Sequence, residues 1–193
     1  MAQLVFRYGT LSAGKSLALL TVNHNYTSQG KKTLILKPST DTRSQKGYIE
    51  SRIGIKTPCI DINKDTNIVS LINDVNIKAI LVDEVQFLTA AQVLELRHIV
   101  DYLNIPVLCY GLRSTYKPFE LFEGSHALFY YADKIEELKN ICMKDKCNRK
   151  AVFNLKTINN KPIYSGETIS IGDIEGEEKY VCVCSKHYHN FNE

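Results

Sequence analysis

The sequence predicts an α/β fold: a mostly parallel sheet with helices on both faces. Three observations carry that expectation. Apolar runs of strand length recur up to Tyr110, at Leu4-Val5-Phe6, Thr33-Leu34-Ile35-Leu36, Ala79-Ile80-Leu81-Val82 and Pro106-Val107-Leu108-Cys109-Tyr110. Longer stretches with helical spacing separate them, so strand and helix alternate, and continuous apolar strands in that setting are buried on both sides. The first connection reads Gly9-Thr10-Leu11-Ser12-Ala13-Gly14-Lys15-Ser16, the Gly-x4-Gly-Lys-Ser pattern of a phosphate-binding P-loop.

Each piece of that loop has a physical task. Gly9 and Gly14 permit the tight turn that aims backbone N–H groups inward at phosphate oxygens. Lys15 adds positive charge at the outer phosphates, and Ser16 offers a hydroxyl to Mg²⁺. Leu17-Ala18-Leu19-Leu20 begins a helix-like segment that ends near Gly30. Its N-terminal amides and dipole complete an anion site.

Pro38 closes the second strand, and the polar segment Ser39 to Gly47 follows. A loop leaving the C-terminal end of a strand lies near the ligand crevice, which gives Asp41 and Arg43 access to phosphates or metal. Ile68, Leu71, Ile72 and Val75 have helical spacing. The run Ala79 to Val82 is followed at once by Asp83-Glu84. An acid at the end of such a strand holds Mg²⁺, directly or through water, and the second acid is placed to act as a base. Thr89-Ala90-Ala91-Gln92 is a capping box for a helix to about Leu103, with Val93, Leu96, Val100 and Leu103 on one face. Cys109 reads as a small core residue. Beyond Gly111 comes an aromatic loop with Tyr116, Phe119 and Phe122. Ser125 to Ile141 is helical at its start and ambiguous later. Ala151-Val152-Phe153 and Thr168-Ile169-Ser170-Ile171 are β-like, with a turn-prone stretch between them.

A chain of 193 residues with 44% apolar content suits one α/β domain and a small appendage. We expect a boundary near Ile141, giving an ATP-binding unit over 1–141 and a small metal-binding unit over 142–193. A net charge of +3 is too mild to argue for nucleic acid. There is no apolar run of about 18 residues and no signal-peptide pattern, so neither a membrane nor export is expected. The expected location is the cytoplasm, where six cysteines are not expected to pair.

Cys142-x4-Cys147 and Cys184-x2-His187 are two pairs with near-zinc-finger spacing, and three sulfurs with one nitrogen form a common tetrahedral structural Zn²⁺ set. Such a site would hold a unit with little core of its own. Cys182 lies two residues from Cys184. It is left out of the expected ligand set. His189 is the alternative to His187.

With these residues in view, the chain resembles the zinc-containing, P-loop (type II) thymidine kinases, and its bacterial and phage branch in particular. The likeness runs nearly end to end. It rests on Gly9 to Ser16, Asp41-Thr42-Arg43, Asp83-Glu84-Val85-Gln86-Phe87, Tyr110-Gly111-Leu112-Arg113, Phe122-Glu123-Gly124-Ser125, Ala132-Asp133-Lys134 and the late Cys/His set. The resemblance implies a RecA-like P-loop NTPase fold with a zinc-bound β unit carrying a lasso loop. It implies phosphoryl transfer from MgATP to the 5′-hydroxyl of thymidine, and weaker transfer to deoxyuridine. Glu84 would be the general base, Arg43 and Lys15 would stabilise phosphate charge, and Ser16 and Asp83 would hold magnesium with Asp41 nearby. The nucleotide-binding set would extend through Val85 and Gln86. Phe87 would stack on the base, and Leu11, Leu112, Tyr116 and Phe122 would line its pocket. The lasso, from about Ile158 to Tyr180, would contribute Ile169, Ser170, Ile171, Gly172 and Tyr180. The resemblance also implies a homotetramer.

The chain departs from the family pattern in four places. The first cysteine pair is wider than usual, Tyr116 stands where phenylalanine is common, Tyr116 to Phe122 is one residue longer than is common, and Ile174 to Glu178 looks like an insertion. Two other readings of the residues stand beside this one. One is a P-loop ATPase whose zinc module binds nucleic acid, which the mild charge disfavours. The other is a nucleotide-binding regulatory module, which Glu84 beside a metal acid disfavours.

Overall fold

The computed structural model describes residues 1–41, 45–166 and 178–191. Its centre is a six-stranded sheet in which every pair is parallel. The strands are β1 (Leu4–Gly9), β2 (Lys32–Pro38), β5 (Ile60–Ile62), β6 (Ile77–Val82), β7 (Val107–Gly111) and β8 (Lys134–Leu138), in the order β5-β2-β6-β7-β1-β8. Between β2 and β5 the chain makes a short antiparallel hairpin, β3 (Tyr48–Glu50) and β4 (Lys56–Pro58).

The pleat assigns the two faces. Leu34 and Leu36, Ile80 and Val82, and Val107 and Cys109 join one buried cluster with Val93, Leu96, Ile99 and Val100 of α2 (Ala90–Leu103) and Leu128 of α3 (Glu123–Tyr131). The alternate residues Ile35, Leu81 and Tyr110 pack with Leu19 of α1 (Lys15–Thr27). Helices therefore cover both faces, and the central strands are apolar throughout because neither face meets water. The Thr89 hydroxyl accepts from the Gln92 amide at 3.2 Å and Gln92 reciprocates, so the capping box forms as read.

Two local expectations differ from the structure, and two regions without a clear pattern take a definite form. Asn67 to Val75 forms only a single 3₁₀ turn, Val69–Leu71, and Val75 is exposed. Polar side chains take the backbone's donors there: Asn67 Oδ1 accepts from the Ser70 N–H and Asp74 Oδ1 from the Asn76 N–H. Leu103 is half-exposed, because Asn104 turns left-handed (φ 51°) and ends α2 there. The ambiguous stretch after Ser125 is α3 followed by β8. Finally, β5 and β8 gave no apolar signal because they are the two sheet edges, where one flank meets solvent and charge is tolerated.

The late chain forms an antiparallel sheet in the order β10-β9-β11, from β9 (Phe153–Ile158), β10 (Lys161–Ile163) and β11 (Glu178–Val183), and ends in α4 (Ser185–His189). Its small core is Leu155, Val183 and Tyr188 with Cys142 and Cys184. No helix among the described residues is long and apolar enough to cross a membrane.

Gly124 sets how α3 approaches the end of β6. A Cβ there would lie 2.1 Å from the Val85 carbonyl oxygen and 2.9 Å from that of Leu88. Alanine for glycine within a helix ordinarily gains up to about 1 kcal/mol. Here the backbone must move, so Gly124→Ala is expected to lose about 1–3 kcal/mol. The urea unfolding midpoint measures this; an unchanged or raised midpoint would contradict the close approach.

Candidate active site

β1, β2, β6 and β7 all end at one edge of the sheet, the edge where open α/β sheets bind ligands. The P-loop leaves β1 there. Gly9 packs so closely that a Cβ would meet the Leu138 carbonyl and the Ala13 side chain, each at 2.8 Å. Gly14 is left-handed (φ 75°), which costs little without a Cβ. Helix α1 then starts at Lys15, whose buried Nζ donates to the Thr10 carbonyl at 2.8 Å. A cleft of about 520 Å³ opens over the loop. It is lined by Leu11 to Leu17, by Lys37 and Asp41 from the end of β2, by Ile49 to Ile53 of the hairpin, and by Asp83 and Glu84 after β6.

The two acids behave differently. The Ser16 hydroxyl donates to Asp83 Oδ2 at 2.7 Å, while Asp83 Oδ1 is buried without a hydrogen-bond partner. Burial and the adjacent Glu84 carboxylate hold the Asp83 carboxyl well above the usual carboxylate range, against the pull of Ser16. A divalent cation beside Ser16 and Asp83 would relieve both the repulsion and the unmatched oxygen, so this donor set fits magnesium. Glu84 is also buried and left-handed (φ 50°) at the sharp turn out of β6. Gln86 Nε2 donates to its Oε2, and Gln86 Oε1 accepts from the Leu112 N–H at 2.9 Å. Gly111 leaves room for this, since a Cβ there would strike Gln86 Oε1 at 2.6 Å.

The remaining candidates fall into two aromatic groups. Phe87 and Phe122 meet edge to face at 5.8 Å, with Leu112 fixed nearby by Gln86 and by the Ser125 hydroxyl, which donates to its carbonyl. Tyr116 and Tyr180 meet edge to face at 6.0 Å, and the Tyr116 hydroxyl donates to the Ser165 carbonyl at 3.0 Å. Leu11 stands between loop and late sheet: its N–H donates to Asn154 Oδ1 at 2.8 Å and its carbonyl accepts from Asn140 Nδ2 at 3.0 Å. Arg43, Ile169, Ser170, Ile171 and Gly172 lie outside the described residues.

Sequence reasoning passed over several residues that line or support this region. Lys37 is fully buried, donates to the Tyr48 carbonyl at 3.1 Å and pairs with Asp61 at 3.7 Å. A lysine ending an apolar run just before Pro38 was the available signal. Lys156 lies 5.5 and 5.8 Å from the Tyr116 and Tyr180 ring centres and pairs with Glu178 at 2.7 Å. Nothing in the sequence pointed to it, or to Arg52 of the hairpin.

The late Cys/His residues converge. The candidate ligand atoms of Cys142, Cys147, Cys184 and His187 all lie within 4.8 Å of one another. Cys147 and Cys184 sulfurs are 3.9 Å apart, and His187 Nδ1 is 3.4 Å from Cys142 and 3.5 Å from Cys184. A tetrahedral zinc ion would give sulfur–sulfur and sulfur–nitrogen edges of about 3.8 and 3.6 Å, so the set fits that ion. The wide first pair is accommodated by a turn in which Lys146 is left-handed (φ 58°) and the Cys147 N–H bonds the Lys144 carbonyl. Burial raises the Cys184 thiol, but the His187 and Lys186 amides and the neighbouring sulfurs bring it below its ordinary value, favouring the thiolate a metal needs. His189 stands outside the cluster, edge-on to Tyr188, and the Cys182 sulfur instead accepts from Asn140 Nδ2 at 3.2 Å. All six cysteines are free thiols.

The family model for thymidine kinase matches residues 2–188. The chain belongs to the thymidine kinase family. Among its relatives, the thymidine kinase of Lactococcus lactis subsp. lactis (strain IL1403) is 44% identical over 190 residues, covering 97% of each chain. The thymidine kinases of Streptococcus gordonii and Enterococcus faecalis are each 46% identical over 190 residues, covering 97% of this chain and 96% and 95% of theirs. A solved structure of Pif1 helicases at forked DNA overlaps 70% of this chain and 39% of its own at a TM-score of 0.39 and 13% identity, too distant a likeness to carry an argument.

The cluster predicts one zinc per chain. Metal analysis of protein purified without chelators should find it, and His187→Ala should lose it while His189→Ala keeps it. Absence of metal, or the reverse pattern in the two variants, would contradict the ligand set.

Proposed function

We propose that this chain transfers the γ-phosphate of MgATP to the 5′-hydroxyl of thymidine, giving thymidine monophosphate and ADP. The observation that carries the reading is a P-loop cleft closed at one end by two adjacent buried acids, with paired aromatic side chains and Leu112 next to those acids. Membership of the thymidine kinase family supports the choice of acceptor.

In this reading the N–H groups of Gly9 to Ser16 and the Lys15 ammonium hold the phosphates. Ser16 and Asp83 would hold magnesium with Asp41 nearby, and the ion would supply charge stabilisation at the transferring phosphoryl group. Glu84 takes the proton of the 5′-hydroxyl. Its turn geometry and the Gln86 contact hold it still, and for phosphoryl transfer positioning and electrostatics count for more than covalent chemistry. Arg43 stabilises phosphate charge, and Val85 and Gln86 support the nucleotide side. Phe87, Phe122, Leu11, Leu112, Tyr116 and Tyr180 receive the base, together with Ile169 to Gly172. Zinc, held by Cys142, Cys147, Cys184 and His187, is structural. We extend the proposal to a division into 1–141 and 142–193 and to a cytoplasmic location, both from the sequence patterns, and to a homotetramer on the family resemblance. The net charge of +3 favours a small acceptor over nucleic acid.

Glu84→Gln is expected to keep the fold and ATP binding and to lower kcat by about a hundredfold or more, as loss of a general base does. A variant within about twofold of wild type would remove Glu84 from that role. Deoxyuridine is expected to be a weaker substrate, since one methyl in an apolar pocket is worth about 1–3 kcal/mol. Deoxycytidine should be nearly excluded, because its amino group leaves buried polar groups unmatched. Release of ADP with each acceptor measures both, and equal turnover of deoxycytidine and thymidine would discard the recognition of thymine.

A further inference from the structure

We propose that Arg52 is a phosphate-binding residue, whose guanidinium leaves Ser12 for the terminal phosphate when ATP enters the cleft. The inference rests on the ATP-binding reading above and adds a contact supplied by the hairpin. Arg52 lies in the turn between β3 and β4, and its Nη1 donates to the Ser12 hydroxyl at 2.6 Å. Ser12 is exposed and left-handed (φ 61°) in the middle of the P-loop. The guanidinium therefore already hangs over the phosphate loop and lines the same cleft.

Three further features favour a ligand over a structural role. Among the described residues, Arg52 has no carboxylate within ion-pair reach and no hydrogen bond besides that to Ser12, and its side chain is exposed. Lys37 in the same cleft is instead engaged by the Tyr48 carbonyl and Asp61. The arm that carries Arg52 is firmly built: Ile49 is buried against Leu19 of α1, and the turn is closed by the Ser51 N–H on the Ile55 carbonyl at 2.8 Å and the Gly54 N–H on the Ser51 carbonyl at 2.9 Å. Because α1 also follows the P-loop, hairpin and loop share one support. Chemistry explains why an arginine stands here. Four carboxylates, Asp41, Glu50, Asp83 and Glu84, line the cleft, so binding a nucleoside triphosphate requires cations at close range. A guanidinium matches two phosphate oxygens at once, which an ammonium does not. Lys15 serves the outer phosphates from the helix start, and the arm that crosses the loop's middle adds a second cation there from the opposite side of the cleft.

Titration calorimetry of MgATP, MgADP and AMP into wild type, Arg52→Ala and Arg52→Lys tests this, with KM for ATP and thymidine measured in parallel. Arg52→Ala is expected to weaken ATP by roughly tenfold or more, ADP by no more than about threefold and AMP hardly at all, with Arg52→Lys intermediate. KM for thymidine should stay within about twofold of wild type. An equal loss for ATP and ADP would mean that Arg52 only shapes the P-loop, and unchanged ATP affinity would mean that it does neither; each overturns the proposal. If Arg52→Ala is unstable, Arg52→Lys carries the same comparison, since it keeps the charge and loses the fork. The readout is binding, so a selective loss of ATP affinity supports Arg52 whatever the acceptor proves to be, whereas a wild type that binds no MgATP would overturn both readings.

Discussion

The backbone of Leu11 is gripped by the later chain at both its N–H and its carbonyl. Asn154 takes its N–H and Asn140 donates to its carbonyl. Leu11 sits inside the P-loop, so this grip joins the phosphate site to the late sheet across more than half the sequence. The two halves of a transfer site must hold donor and acceptor in register, and an error of about 1 Å costs about a hundredfold in rate. Two hydrogen bonds to the backbone of one residue, between partly buried groups, are a direct way to set that register. Arg113 adds a third tie, donating to the Val152 carbonyl at 3.2 Å, and the Tyr188 hydroxyl a fourth, donating to the Tyr116 carbonyl at 2.7 Å.

This joint makes the Cys/His cluster matter beyond its own neighbourhood. Asn154 is carried by β9, and β9 belongs to a three-stranded sheet whose core is a few aliphatic and aromatic side chains and the cysteines themselves. A sheet that small has little apolar area to bury and depends on cross-links. Metal at Cys142, Cys147, Cys184 and His187 would therefore act on the P-loop through β9 and Asn154. On the other side, Ser16 is tied to Asp83, and Gln86 links Glu84 to the Leu112 amide. The left-handed backbone at Glu84, worth about 1 kcal/mol or more of strain for a non-glycine residue, is held by these bonds and by the close approach of Gly111 and Gly124.

Much of this was legible in the sequence, for identifiable reasons. The central strands announced themselves because burial on both faces leaves only apolar residues, and the P-loop because its glycines and lysine sit at fixed spacings. Asp83-Glu84 was readable as an acidic pair ending such a strand, and the convergence of the four Cys/His residues as two spaced pairs. Edge strands β5 and β8 were invisible because exposure on one flank removes the pattern. Asn67 to Val75 misled because apolar spacing does not reveal that Asn67 and Asp74 will take the backbone's donors. Asn140, Asn154, Lys156 and Arg52 were missed for a common reason: each acts through a partner distant in sequence, and no local spacing records a contact such as that of Leu11 with Asn154, 143 residues away.

The dependence of the phosphate loop on the late sheet is the central claim, and amide hydrogen exchange at Leu11 tests it most directly. The exchange is followed in the zinc-loaded protein and after the metal is withdrawn by a chelator. Exchange at Leu11 should accelerate together with that of residues 153–158, while the amides of residues 77–82 in the main sheet keep their protection. Unchanged protection at Leu11 while β9 opens would show that the P-loop holds its shape without the late sheet, and would contradict the claim.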